Sequence, residues 1–314
     1  KDAAPGRARF ERRKEEILNA AAVLYNRHAL RDATLAVVAS ETGLNLKSLR
    51  YYFEKREDLM VAAFLQSIAL HRELVAQAMG AQKAEDRVRR FVRGYFEMLT
   101  RVAQGEQPAF TYFSDLRALT EPHSLVVYQE YNQFFRAVRS LLRPADSTWS
   151  HAELNARTHM LVSQLLWSVA WIDDYVSEDR GRLADRFTDV LLNGISTRSV
   201  DLAPAAASLA PPVPQHGGLL SQESFLRTAT ALINDHGYRG ASVERVSAVL
   251  KVSRGAFYHH YEARDALVVA CFDRTFDVLR RAQTAGMAHG GSGMDRLAAT
   301  AVDLVTRQMT VEGF

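Results

Sequence analysis

Residues 17–64, ILNAAAVLYNRHALRDATLAVVASETGLNLKSLRYYFEKREDLMVAAF, decide how the whole chain is read. Residues 225–272, FLRTATALINDHGYRGASVERVSAVLKVSRGAFYHHYEARDALVVACF, repeat them without a gap at a fixed offset of 208. Leu18, Ala21, Leu24, Asn26, His28, Arg31, Ala33, Val38, Glu54, Arg56, Leu59, Val61, Ala62 and Phe64 recur identically, which is 14 of 48 positions. Thr34/Ser242, Leu35/Val243, Phe53/Tyr261 and Glu57/Asp265 are conservative pairs. The period far exceeds the ~20–50 residues of solenoid repeats, so it implies two domain-sized units.

Each copy has the same local grammar. An apolar-periodic helix, Ile17 to Tyr25 or Phe225 to Ile233, is expected to end near His28-Ala29 or His236-Gly237. Thr34 or Ser242 follows, a residue whose hydroxyl can accept from an orphan N–H at a helix start. TLAVVA (34–39) could be a strand by composition, but its helical neighbours make it a short helix. The turns Thr42-Gly43-Leu44-Asn45 and Leu250-Lys251-Val252-Ser253 then deliver second short helices, Leu46 to Tyr52 and Arg254 to His260. Two short helices joined by a tight turn form a helix-turn-helix, whose second helix fits the major groove of DNA.

Working outward, 314 residues suggest two or three domains, and 47% hydrophobic with 24% charged residues is an ordinary globular composition. The single cysteine, Cys271, excludes an internal disulfide and fits a reducing, cytoplasmic setting. No apolar run approaches the ~20 residues of a bilayer span. The longest, Met160 to Ile172, carries Ser163, Gln164 and Ser168 and stops at Asp173-Asp174, so no membrane partner is expected. The start, KDAAPGRARFERRKEE, lacks the apolar centre of a secretory signal. Net charge is only +3, yet Arg7, Arg9, Arg12, Arg13 and Lys14 cluster there, either as a solvated tail or as phosphate or minor-groove contacts.

Residues 65–200 read as helices rich in aromatics. Val88, Phe91, Val92, Tyr95, Met98 and Leu99 recur at helical spacing, as do Val127, Tyr128, Tyr131, Phe134, Phe135, Val138, Leu141 and Leu142 before Arg143-Pro144 stops the helix. Long helices are expected at about 152–176 and 183–195. Residues 203–218 hold four of the eight prolines and a Gly pair, the composition of a linker. No catalytic plan emerges. Gly290-Gly291-Ser292-Gly293 opens no phosphate loop, and His151, Glu153 and His159 lack metal spacing. Adjacent His259 and His260 diverge on a helix, and Cys271 lies on an apolar stripe. No enzyme activity, cofactor or metal is expected.

Both copies resemble the DNA-binding domain of TetR-type transcriptional regulators, through the Ala-rich first helix, the Thr cap, Ala39 and Gly43, and the aromatic-Phe-x-x-Arg-x-x-Leu ending. The second copy looks the more diverged. Arg50 stands where the family has tyrosine, which Tyr258 keeps; Arg56 and Arg264 replace a lysine; Lys251 replaces the turn glycine. The resemblance implies an all-α fold: a helix-turn-helix domain (1–58), a helical ligand-sensing and dimerisation domain (59–200), a linker (201–219), a second helix-turn-helix domain (220–266) and an incomplete second sensor domain (267–314). Only 42 residues follow Phe272.

Carried over residue by residue, the resemblance places Thr34, Arg50, Tyr51, Lys55 and Arg56 on phosphates and Lys47, Ser48 and Tyr52 near base edges. In the second copy Ser242, Tyr258, His259 and Arg264 take the phosphates, while Arg254, Gly255 and His260 face the groove. Phe91, Tyr95, Tyr112, Tyr128, Tyr131, Gln164 and Trp167 are the candidates to line an apolar effector pocket. Met160, Leu161, Leu165, Ser168, Ile172, Phe187, Leu191 and Ile195 are candidate subunit-interface positions. The function implied is a repressor released by a small apolar or amphipathic effector. It would hold a double-stranded operator as an intramolecular pseudo-dimer or a homodimer, reading unlike half-sites because NLKSLRYY and VSRGAFYHH differ. The alternatives are an architectural DNA-binding protein without effector, and a homodimer whose second motif is only structural.

Overall fold

The computed structural model describes residues 5–27, 33–113, 116, 119–144, 147–196, 221–237 and 240–309. The expected linker, His28 and Arg31 lie outside these. The chain divides into two compact units, Lys1–Gly194 and Ile195–Phe314. Every regular element among the described residues is helical.

The first unit contains α1 (Pro5–Arg27), α2 (Leu35–Glu41), α3 (Leu46–Tyr52), α4 (Arg56–Ala78), α5 (Ala84–Ala103), α6 (His123–Leu142), α7 (His151–Trp167) and α8 (Arg180–Asn193). α1 starts at Pro5, a residue suited to the first helical position because its missing N–H is an orphan there anyway. The arginine cluster is therefore helical, not a tail. α4 runs through the middle, packed by α1, α5 and α6. By length and composition it could cross a bilayer, contrary to the sequence expectation. Ten of its residues are instead buried inside the unit, which accounts for its apolarity.

The helix expected to reach Val176 stops at Trp167. Three 3-10 turns follow, Ser168–Ala170, Ile172–Asp174 and Ser177–Asp179. They turn Ile172 into the core and set Trp171 against Phe96 and Phe187. Asp173 accepts from Arg180 at 3.0 Å, which ties the turns to the start of α8.

The second unit contains α9 (Gln222–His236), α10 (Val243–Leu250), α11 (Arg254–His260), α12 (Arg264–Ala288) and α13 (Gly293–Gln308). α3 and α11, and likewise α4 and α12, begin 208 residues apart. The core of this unit is Phe225, Ala229, Ala241, Val246, Phe257, Tyr261, Leu267, Val268 and Cys271. The residues 208 earlier are Ile17, Ala21, Ala33, Val38, Leu49, Phe53, Leu59, Met60 and Ala63, and all nine are buried in the first unit's core. Only four of these pairs are identical, so the repeat is kept as a packing pattern more faithfully than as a sequence. Glu223 adds a charged clamp, accepting from Arg227 and Arg274 at 2.9 Å each and so joining α9 to α12.

Candidate nucleic-acid interface

Capping places the short helices. The Thr34 hydroxyl accepts from the Val37 N–H at 3.3 Å and the Asn45 side-chain Oδ1 from the Ser48 N–H at 2.8 Å. Ser242 and Ser253 do the same for Arg245 and Ala256 at 3.3 and 3.2 Å. Each cap satisfies a donor the helix leaves orphaned. Both turns close the same way, with the Leu44 N–H on Ala39 O at 2.8 Å and the Val252 N–H on Ser247 O at 2.9 Å. That closure needs a left-handed residue in between. Gly43 takes it at φ 65°, and Lys251 takes it at φ 55°, ψ 42°.

Each second helix thereby turns one residue inward, Leu49 in α3 and Phe257 in α11, both fully buried. The opposite face is free. Lys47, Arg50 and Tyr51 are exposed on α3, as are Arg254, Gly255, Tyr258 and His259 on α11. Thr34 and Lys55 are exposed and Ser48 and Ser242 half-buried. The Lys55 N–H donates to Asp58 at 3.1 Å, capping α4.

Several predicted contacts are otherwise engaged. Tyr52, expected near base edges, is half-buried and stacks on Phe10 with centroids 4.9 Å apart. His260, expected to face the groove, is half-buried against Phe225 at 4.9 Å. Both are held by an aromatic of the preceding long helix. Arg56 is half-buried near the Tyr25 phenol, whose pKa burial raises while the Arg56 charge works to lower it. Arg264 pairs with Asp265 at 3.2 Å. Arg254 reaches across the turn to Glu244 at 3.1 Å.

Sequence reasoning missed the part of α1 before Ile17. Its basic end borders α3, and Arg9, Arg12, Arg13, Glu16, Leu44, Ser48, Tyr51 and Tyr52 line a cleft of about 620 Å³. Arg13 pairs with Glu16 and donates to Thr42 O at 2.7 Å, fixing α1 to the turn. Phe10 lies seven residues before Ile17, the same helical face, and that spacing was the available signal.

The seven effector candidates do not converge on one cavity. Phe91 and Tyr95 are sealed in the core, Tyr112 and Tyr131 are half-buried, and Gln164 is exposed. Tyr128 and Trp167 are also exposed, Trp167 at 67%. Burial raises the pKa of Tyr95, Tyr112 and Tyr131, so these phenols stay neutral. An apolar groove of about 730 Å³ takes in Gln164 of these candidates, together with Val88, Trp149, Met160, Leu161 and Phe187. Four of the interface candidates, Leu161, Leu165, Ser168 and Ile172, are buried within the unit, while Met160 and Ile195 are exposed. Among the described residues no three His, Cys, Asp or Glu side chains are grouped to hold a metal. His151 bonds to Arg139, Glu153 caps α7 and His159 stacks on Phe135.

In each unit two short helices are thus joined by a tight turn and capped in the same way. Residues 225–271 match the family described as bacterial regulatory proteins, tetR family. The matched copy is the one the sequence reading took as more diverged. The Tn10 TetC protein of Escherichia coli is 34% identical over 58 residues, which cover 16% of this chain and 29% of that protein. The chain therefore spans less than a third of that relative. Two solved structures are similar in part. A TetR family transcriptional regulator, PfmR from Thermus thermophilus, aligns with a TM-score of 0.46 at 16% identity, over 58% of this chain and 96% of that one. The fatty acid degradation regulator FadR from Bacillus halodurans gives 0.45 at 18% identity, over 58% and 98%.

Proposed function

We propose that the chain is a TetR-type DNA-binding transcriptional regulator that uses both helix-turn-helix motifs. The observation that carries this reading is the nine-for-nine core correspondence between the units. Equivalent buried residues hold α3 and α11 in the same orientation on their own units, and each offers an exposed face with a cation on it. Lys47 and Arg50 take that role in α3 and Arg254 in α11; a guanidinium at the groove can bond bidentately to guanine. The exposed residues differ, so the half-sites read are unlike and the operator is asymmetric or pseudo-palindromic. The residues toward phosphates are Thr34, Arg50, Tyr51 and Lys55 in one unit and Ser242, Tyr258 and His259 in the other, joined by Arg9 and Arg12 of α1.

Release by a small apolar or amphipathic effector belongs to the same proposal. A ligand acts only through its differential affinity for two states of the regulator. The groove beside Met160 and Gln164 supports such a ligand better than the scattered tyrosines. It equally suits a second chain, since Met160, Trp167 and Val190 are exposed apolar residues on the first unit.

The test is selection of bound DNA from a random library with the full chain, Lys47→Ala and Arg254→Ala. Each variant is expected to lose preference at one half-site and keep the other. Unchanged selection by Arg254→Ala would remove the second motif as a base reader, leaving a structural relic.

A further inference from the structure

Arg87 at the start of α5, and Arg139 and Arg143 at the end of α6, converge on one cleft of about 530 Å³. Gln82, Ser140, Pro144 and Leu154 complete its lining, and among the described residues no carboxylate lines it. Elsewhere in this protein arginines pair with carboxylates, as at Arg72, Arg93, Arg180 and Arg274. Among the described residues these three have none.

Two of these side chains, those of Arg139 and Arg87, are instead held by groups other than carboxylates. Arg139 Nη1 lies 2.8 Å from His151 Nε2 and 3.0 Å from Asn155 Oδ1, on the first two turns of α7. Arg87 Nη2 donates to the Arg143 carbonyl at 2.9 Å, and its Nη1 rests on the Met79 sulfur at 3.9 Å. Arg87 Nε is buried with no hydrogen-bond partner. A buried charged-group donor left unmade is costly, and three like charges in one cleft repel. An anion with several oxygens relieves both, because planar guanidinium forks match phosphate oxygens.

We propose that this cleft is an anion site that takes a phosphate-bearing small molecule. Three guanidinium charges exceed what one carboxylate neutralises and suit a multiply charged phosphate or pyrophosphate group. The cleft adjoins Met79, at the far end of α4 from Arg56, about 35 Å away by helix rise, so it is separate from the proposed DNA face. The inference does not depend on how α3 or α11 is used.

The experiment follows thermal unfolding of the full chain in sodium pyrophosphate and in sodium chloride of equal ionic strength. Pyrophosphate is expected to raise the unfolding midpoint by a few degrees beyond chloride, as a ligand of the native state must. The rise should vanish in Arg87→Gln/Arg139→Gln and persist in Arg9→Gln/Arg12→Gln, which alters only the α1 cleft. An equal rise in chloride, or one that survives in Arg87→Gln/Arg139→Gln, overturns the proposal. So does loss of the rise in Arg9→Gln/Arg12→Gln. Reduced DNA binding by Arg87→Gln/Arg139→Gln without added phosphate would reassign the cleft to nucleic acid and also overturn it. Should the double variant lose its helical circular dichroism, Arg143→Gln alone is read by the same criteria.

Discussion

Lys251 is the sole non-glycine with positive φ among the described residues. A side chain in the left-handed region costs ~1–2 kcal/mol, offset in part by the ~0.5–1 kcal/mol of extra unfolded-state freedom that glycine would bring. Lys251→Gly should therefore stabilise the second unit by roughly 0.5–1 kcal/mol in urea unfolding, whereas Gly43→Ala should destabilise the first by about as much. A destabilised Lys251→Gly would mean that the lysine makes an interaction worth more than its backbone strain. Glu244 gives a second residue-level expectation. It occupies Arg254 and carries negative charge on the face proposed to meet DNA. The equivalent residues of the first unit are Ala36 and Leu46, so only the second motif has this pair. Glu244→Gln should tighten DNA binding a few-fold in fluorescence anisotropy, because a base edge no longer competes with a carboxylate for Arg254 and the backbone phosphates meet one negative charge fewer. Weaker binding would show that Glu244 holds Arg254 in its reading position.

Among the elements, α12 and α13 meet closely at Gly286. A Cβ there would sit 1.8 Å from Thr300 Oγ1 and 2.9 Å from the Arg296 carbonyl oxygen. Gly286→Ala should cost the second unit about 1–3 kcal/mol by forcing the helices apart, measured by urea unfolding. Adding Thr300→Ala should recover only part, since the Arg296 backbone clash remains. The same helix shows where the repeat ceases to be a guide. Phe272 is 54% exposed and Phe276 50%, whereas their counterparts Phe64 and Ile68 are at 0% and 1%. α6 and the Phe110–Phe113 stretch cover that face of α4 in the first unit, with Phe113 stacked on Phe64 at 6.4 Å. Identity at a repeat position fixes which way a side chain points from its own helix. It does not fix what lies on top.

For the molecule as a whole, the first unit carries a buried imidazole that makes its stability depend on pH. His71 is fully buried among Tyr95, Phe110, Phe113 and Phe134, with Nδ1 2.7 Å from Ser67 O. Burial, only partly opposed by that hydrogen bond, lowers its pKa to about 4. The unfolded chain binds this proton more readily than the folded one. The contribution is thus complete above the ordinary histidine range, lost as pH falls from ~6.5 toward 4, and on the order of 3 kcal/mol in all. Thermal midpoints taken from pH 7.5 to 4.5 should fall steeply in the wild type and less so in His71→Leu. Parallel pH dependences in the two would mean that protonation of His71 is not linked to unfolding of that core.

Much of the fold was legible in residues 17–64 and 225–272. Helical periodicity, cap residues and the turn glycine are local, and local chemistry placed α3 and α11 with correct bounds. The effector candidates were legible only as a set of aromatics. Whether Tyr95 lines a cavity or fills a core depends on what α6 and the 110–113 stretch place against it, which spacing along α5 does not contain. Likewise apolar composition carried α7 on to Val176, while packing of Trp171 and the Asp173–Arg180 pair ended it at Trp167.

By itself the sequence determined the helices, caps and turns within residues 17–64 and 225–272 and opposite faces for Leu49 and Arg50, because near-neighbour sterics and hydrogen bonds act over one or two helical turns. Only the tertiary structure decided that Tyr52 and His260 turn to Phe10 and Phe225, that the early arginines border α3, and that Arg87, Arg139 and Arg143 share one cleft. Each of these is a meeting of side chains from separate elements, and such meetings are fixed by how whole helices dock to fill a core.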